Sequence, residues 1–437
     1  MQRLDIEYNV DEIKRLLSID SLNRNKNLEV MMRFLDNLNS QMVLNLDDGW
    51  GTGKTVFLKQ LEYLGNINEI NENIVNLDKK VINSFKSKYN VFYFNAWEHD
   101  LYDNPLESLI YSLLMKMASI EDNEKIQGEM VKVITKTLKK IGILSANTMV
   151  KIITNGSIEI KDLVSNDEDP IPKITSIEKK REAINELLEG LLGDSNEKIL
   201  IIIDELDRCK PSYAVKLLEV VKHFFINDQI VFLFGSNKKE LSETVKHEYG
   251  NNFDGYKYLN RFFDFEFTLP KIDRKIYAQN KIGNKMTHND VRYKEALIVI
   301  EYFNFSMRDI NRFFILFDNI IPYLKRNNND YYKVDPTVKY LMLLYSIGLR
   351  IHSGEEYKMF IGGQGMNGLI DFYEFRKEDH DYIIIWDGHR TEIDAVGKLT
   401  TIYDSIKSVD STNEYNLSDI QHSFKEMFEV LTMMSNI

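Results

Sequence analysis

The chain contains the run Asp48-Gly49-Trp50-Gly51-Thr52-Gly53-Lys54-Thr55. Its glycines let backbone N–H groups turn inward and approach a ligand closely, as the β- and γ-phosphates of a nucleotide require. The helix that follows adds the positive end of its dipole. Lys54 is placed to neutralise phosphate charge, and Thr55 can offer its hydroxyl to Mg²⁺. The pattern reads as a phosphate-binding (Walker A) loop, with Gly49, Trp50, Gly51, Thr52, Gly53, Lys54, Thr55 and Val56 as its contact residues. The strict pattern has glycine where this chain has Asp48, so the start of the loop is expected to differ. The alternative is a glycine turn followed by an incidental lysine. A strand pattern before the loop and a helix pattern after it argue against that.

A second set of chemically capable residues lies 150 positions on. The apolar run 199–203 leads straight into Asp204-Glu205-Leu206-Asp207-Arg208. A carboxylate at the end of a buried strand beside the loop strand can hold Mg²⁺, directly or through its waters. A second carboxylate one residue on can orient and deprotonate an attacking water. Asp204 is therefore the expected metal residue, with Thr55, and Glu205 the expected catalytic base. Asp207 reads equally well as a solvated strand exit, and Arg208 is expected to pair with it.

These residues need a scaffold that brings two strand ends together. Residues 43–46 form an apolar run ahead of the loop, and 56–64 have helical spacing. A second strand pattern covers 91–94, followed by helical periodicity over 106–118. The stretch 120–172 is the least regular. Thr175 and Glu178 have capping-box spacing for a helix ending near Leu192. Residues 199–203 and 230–235 have the continuous apolar character of strands buried on both faces, with a helix over 214–225 between them. Strands alternating with helices predict an α/β domain built on a parallel sheet. From Lys275 the pattern turns helical, through 291–324 and 337–351. After Gly354 it is mixed, with a strand expected at 382–386 and a helix at 418–434. The expected organisation is a core over 1–274 with an irregular insertion at 120–172, a helical segment over 275–353, and a mixed α/β tail over 354–437.

Bulk properties narrow the function classes. The 437 residues suggest about two or three domains. A net charge of −12 disfavours nucleic acid and anionic membranes as partners. The single cysteine, Cys209, allows no intrachain disulfide and fits a reducing compartment. The first residues carry no signal-peptide pattern. The longest apolar stretches, 141–150 and 340–349, fall short of the roughly 20 residues a membrane helix needs and are bounded by Lys140, Lys151 and Arg350. A soluble, cytoplasmic protein is expected.

With both motifs in place, the chain resembles the KAP family of P-loop NTPases, a branch near the STAND and AAA-type ATPases. Trp50-Gly51-Thr52-Gly53-Lys54-Thr55 matches the family's Trp-Gly-x-Gly-Lys-Thr/Ser loop. Phe94-Asn95-Ala96-Trp97-Glu98, followed by Asn104-Pro105-Leu106, matches its second-strand signature. Asp204-Glu205-Leu206-Asp207-Arg208-Cys209 resembles its Walker B segment, usually Asp-Asp-Leu-Asp-Arg-Cys. Tyr258-Leu259-Asn260-Arg261-Phe262-Phe263, closing at Leu269-Pro270, resembles its approach to a fifth strand. The resemblance spans roughly residues 20–320. It implies a P-loop core with ATP and Mg²⁺ as ligands. It also implies a sensor position at Asn237, where the family usually has Asp and where an amide can still contact the γ-phosphate or the attacking water. Animal members insert membrane helices between the Walker motifs. The corresponding stretch here, 141–160, is short and charged, so that property is not implied. Soluble bacterial relatives are often found in mobile or phage-defence settings.

Weaker signals complete the reading. Arg308, at a helix start, matches a second-sensor position in related ATPases; a surface arginine is the alternative. Arg261 could act in trans if the chain forms rings. Trp50 and Trp97 are expected to pack in the core. Gly363-Gln364-Gly365-Met366-Asn367-Gly368 matches a dinucleotide-loop pattern without its βαβ setting and is expected to be a flexible loop. His99 and His380 lack metal-ligand spacing, and Cys209 is expected to be structural.

The combined expectation is a P-loop NTPase that binds ATP·Mg²⁺ and hydrolyses it, in a regulatory or phage-defence role. The competing expectation is a nucleotide-gated scaffold that recruits an effector protein with little turnover. A homo-oligomer is left open. A DNA-translocating motor is disfavoured by the acidic charge.

Overall fold

Two apolar runs, Lys198–Asp204 and Ile230–Ser236, are buried at every position. Such runs form strands covered on both faces. In the computed structural model they are β3 and β4 of a five-stranded parallel sheet with β1 (Met42–Asp47), β2 (Tyr89–Asn95) and β5 (Phe265–Phe267). The structure describes residues 9–67, 74–102, 104–118, 177–192, 197–271, 273–282, 291–326, 336–379, 400 and 403. The strand order is β2-β3-β4-β1-β5.

Alternation along the strands sends side chains to two cores. One face carries Phe92, Phe94, Ile201, Ile203, Phe232 and Phe234, covered by the helices Pro105–Ala118, Ile177–Leu192, Pro211–Phe224 and Lys238–Tyr249. The other carries Leu44, Leu46, Val91, Leu200, Ile202 and Leu233, covered by Val10–Ile19, Asn25–Asp36, Lys54–Asn66 and Lys79–Lys88. The helices Val10–Ile19, Asn25–Asp36 and Lys79–Lys88 go beyond the elements read from the sequence, although their buried residues keep helical spacing (Ile13 and Leu17; Leu28, Met31, Met32 and Leu35; Val81, Ile82 and Phe85).

The chain divides into two compact units, Ile6–Lys271 and a second that runs from Ile272. The sheet belongs to the first. In the second, the helices Arg274–Ile282, Val291–Tyr302, Met307–Arg326, Pro336–His352, Gly354–Ile361 and Met366–Asp379 share one core, in which Phe313, Leu343, Phe360 and Phe372 are fully buried. The expected continuous pattern over 291–324 is interrupted between Tyr302 and Met307, where Asn304 takes a left-handed φ of 52°. The glycine-rich run at 363–368 is not the flexible loop expected. Gly363 turns the chain at φ 79°, Met366 opens a helix, and Gly365 and Gly368 lie too close to Phe360 and Tyr345 for a Cβ. The strand expected at 382–386 and the helix expected at 418–434 lie outside the described residues.

A buried ion pair joins two of these helices. The Arg376 guanidinium donates from Nε to both oxygens of Glu295 at 2.9 and 3.0 Å and from Nη2 to Oε1 at 2.6 Å. The two side chains are 1% and 3% exposed. Removing one partner strands a charge in the core. Arg376→Met is expected to destabilise this unit by about 3–5 kcal/mol, and pairing it with Glu295→Leu should recover most of the loss. Urea unfolding of the three proteins checks this. Equal losses in the single and double variants would show that packing, not charge, sets the effect.

Candidate functional site

β1 ends at Asp47 and the helix Lys54–Asn66 begins seven residues later. Between them Gly51 and Gly53 take left-handed φ values of 73° and 90°, which only glycine adopts cheaply. The loop is tied at several points. Thr52 Oγ1 donates to the Gly49 carbonyl at 2.9 Å, and Asp48 N–H donates to the Ser236 carbonyl at 3.3 Å. The unusual Asp48 closes the start of the loop, its Oδ1 accepting from Gly49 N–H at 2.7 Å. Lys54 is buried and folded back, Nζ donating to the carbonyls of Asp48 at 2.6 Å and Gly49 at 2.8 Å. Burial pulls its pKa below the usual ammonium value, against the opposing charges of Asp207, Asp204, Asp48 and Asp47. Val56 is buried one turn into the helix.

The strand order revises one expectation. β3 does not neighbour β1, because β4 lies between them. Asp204 reaches the loop because its partner in register on β4 is Gly235. A Cβ on Gly235 would meet Asp204 Oδ1 at 2.7 Å and Leu58 Cδ1 at 2.3 Å. The Asp204 carboxylate has the Thr55 side chain as a hydrogen-bonding neighbour that lowers its pKa. It also accepts from the Tyr93 hydroxyl at 2.9 Å and from Glu205 N–H at 2.9 Å. Asp204 is 1% exposed. Burial raises its pKa, and the Thr55, Tyr93 and Glu205 hydrogen bonds and the Lys54 charge oppose the rise.

That direction has a consequence for the chain without metal or nucleotide. A carboxyl whose folded pKa lies above its unfolded value stabilises the fold while protonated, and that contribution is lost as pH rises through the folded pKa. In EDTA, Asp204→Asn should therefore raise the unfolding temperature of the sheet unit by about 2–4 °C over wild type at pH 8, the response of a domain of about 150–250 residues to roughly 1 kcal/mol. The gap should close as pH falls and Asp204 protonates. Thermal unfolding across pH measures it, and a variant less stable than wild type at pH 8 would refute the assignment.

Glu205 sits at φ 62°, a left-handed conformation uncommon for a residue with a side chain. Its carboxylate pairs with Arg208 Nη1 at 2.8 Å. The expected Arg208–Asp207 pair does not form. The 3₁₀ turn Leu206–Arg208 aligns positions three apart, so Arg208 meets Glu205. Asp207 accepts instead from the Trp50 indole N–H at 2.5 Å. Trp50 and Trp97 are 51% and 48% exposed rather than packed in the core. Trp50 lies in the loop and Trp97 opens the 3₁₀ turn Trp97–His99, where the Arg208 guanidinium lies 5.5 Å from its ring.

The remaining expected residues are more dispersed. The Asn237 side chain caps the helix Lys238–Tyr249 by accepting from Glu240 N–H at 3.4 Å. Arg308 lies in the second unit, in the first turn of Met307–Arg326. Arg261 lines a cavity of about 200 Å³ with Gln41, Val43 and Asp264, at the start of β1, the end opposite the loop. His99 bonds the Asn95 carbonyl and Ser112. Cys209 is buried, and burial pushes its thiol pKa far up.

Three residues here were not found from the sequence. Gly235 was detectable as a glycine inside a bulky buried strand, a sign of close approach. Tyr93 pairs with Ile202, two residues before Asp204 and on the same face, which only the register reveals. Arg24, 4% exposed, donates to the Thr52 carbonyl at 2.6 Å and the Pro270 carbonyl at 3.1 Å, bracing the loop from the helix Asn25–Asp36.

The donor set suits a divalent cation held together with phosphates. Asp47, Asp48, Asp204, Glu205 and Asp207 outnumber Lys54, Arg24 and Arg208 around the loop. Among the described residues no three His, Cys, Asp or Glu side chains converge on one metal position. Mg²⁺ is ordinarily held this way, by one or two carboxylates plus substrate phosphates rather than by a full protein cage. Among the described residues no helix is long and apolar enough to cross a membrane.

Comparison with known proteins agrees with this geometry. The family model described as the KAP family P-loop domain matches residues 24–324. No curated protein matches the chain.

Proposed function

Because the chain belongs to the KAP family of P-loop domains, and so carries a nucleotide-binding NTPase domain, we propose that it is a Mg²⁺-dependent ATPase. The observation that most supports this is the meeting of the buried Asp204 with Thr55 across Gly235, beside Lys54. In this reading Lys54 leaves the Asp48 and Gly49 carbonyls for the β- and γ-phosphates, and the loop N–H groups cradle them. Thr55 and Asp204 hold the metal. When bound, Mg²⁺ neutralises charge that develops on the phosphate oxygens. Glu205, released from Arg208, takes a proton from water as that water attacks the γ-phosphorus. The bond to the β–γ bridging oxygen breaks, giving ADP and phosphate. Asn237 contacts the γ-phosphate or the water through its amide, and Arg308 is the second-sensor candidate. Hydrolysis is then coupled to conformational change in the helical unit, in a regulatory or defence role.

Phosphate release from ATP, compared in Mg²⁺ and in EDTA and against the other three ribonucleoside triphosphates, tests the proposal. Release that requires Mg²⁺ and favours ATP is expected. Release as fast in EDTA as in Mg²⁺ would contradict it.

One observation favours the second reading, a nucleotide-gated scaffold. Glu205 is held by Arg208 at 2.8 Å, so the base is engaged unless something draws Arg208 away. That reading predicts tight ATP binding with negligible turnover until an effector protein or a second copy of the chain is added.

A further inference from the structure

Building on the reading of Asp204 as a metal residue, we propose that Tyr93 is a positioning residue for that carboxylate and that Lys59 strengthens its hold. Tyr93 is half-buried in β2, between Phe92 and Phe94, which face the opposite core. Its hydroxyl donates to Asp204 Oδ2 at 2.9 Å, while Glu205 N–H donates to Oδ1 at 2.9 Å. Two bonds to different oxygens fix the plane of the carboxylate. A phenylalanine here would fill the same space and remove the Tyr93 donor to Oδ2, loosening the carboxylate.

The ring is also engaged from behind. Lys59 Nζ lies 3.4 Å from its centroid, and Glu62 holds Lys59 at 3.2 Å. Glu62 is itself paired with Lys116. An ammonium over the ring face draws electron density from the phenol and makes its O–H a stronger donor. A chain of contacts thus runs from Lys116 through Glu62, Lys59 and Tyr93 to Asp204. Outer-shell partners of this kind commonly contribute about 10–100-fold to metal affinity.

The test is Mn²⁺ binding, read by electron paramagnetic resonance in the presence of a non-hydrolysable ATP analogue, beside analogue affinity in EDTA. Tyr93→Phe is expected to weaken Mn²⁺ binding about tenfold and to leave metal-free affinity for the analogue within about twofold. Lys59→Met, at a partly exposed position, should shift Mn²⁺ binding the same way by about two- to threefold, and it serves as the readout should Tyr93→Phe fold poorly. Unchanged Mn²⁺ affinity in both variants would overturn the proposal. So would an equal loss of analogue affinity with and without metal, which marks a general disturbance of the loop. If wild type itself shows no metal-dependent binding, the assignment of Asp204 fails instead, a result separate from either variant's.

Discussion

Lys54→Ala is expected to lose nucleotide affinity by about 10²-fold to several 10³-fold. The estimate follows from its surroundings. Nζ is buried, its two acceptors are loop carbonyls, and carboxylates of Asp207, Asp204, Asp48 and Asp47 act on it. Deleting the ammonium removes the charge that would meet the phosphates and leaves the carboxylates to repel them. Losing one partner of a buried charge pair costs roughly 3–5 kcal/mol, and each 1.4 kcal/mol is tenfold. Titration calorimetry with ATP and Mg²⁺ measures it. Affinity within threefold of wild type would mean that phosphates do not bind at Gly49–Thr55, and the functional reading would fall with it.

Glu205→Gln should behave in the opposite way, binding nucleotide about as well as wild type while turnover falls roughly 10²–10⁴-fold, the usual contribution of a positioned general base. The amide keeps the shape and can still accept from Arg208 but cannot take a proton. Glu205 holds a left-handed φ of 62° at the strand exit, a strain that functional positions retain. Single-turnover phosphate release separates this from a binding defect. Turnover preserved in the variant would remove Glu205 as the base.

The sequence carried the local chemistry and left the partnerships to the fold. Glycines at 51 and 53 were readable because left-handed backbone demands them. The buried strands at 198–204 and 230–236 were readable because both faces are apolar. Sheet order was not, since it depends on crossovers between strands rather than on any one strand. Asp204 was therefore expected beside the loop strand, when it reaches the loop across Gly235. The exchange of partners among Trp50, Asp207, Arg208 and Glu205 follows from a 3₁₀ turn of three residues, which leaves no pattern to read. Ring size suggested burial for Trp50 and Trp97, but their places in the phosphate loop and in the 3₁₀ turn Trp97–His99 leave both exposed.

The most direct test of the account is steady-state phosphate release by the wild-type chain with ATP and Mg²⁺, set against Lys54→Ala as background and accompanied by a binding measurement. The account predicts release well above that background. Tight binding without release would favour the gated scaffold, and absence of ATP binding would contradict the account at its root.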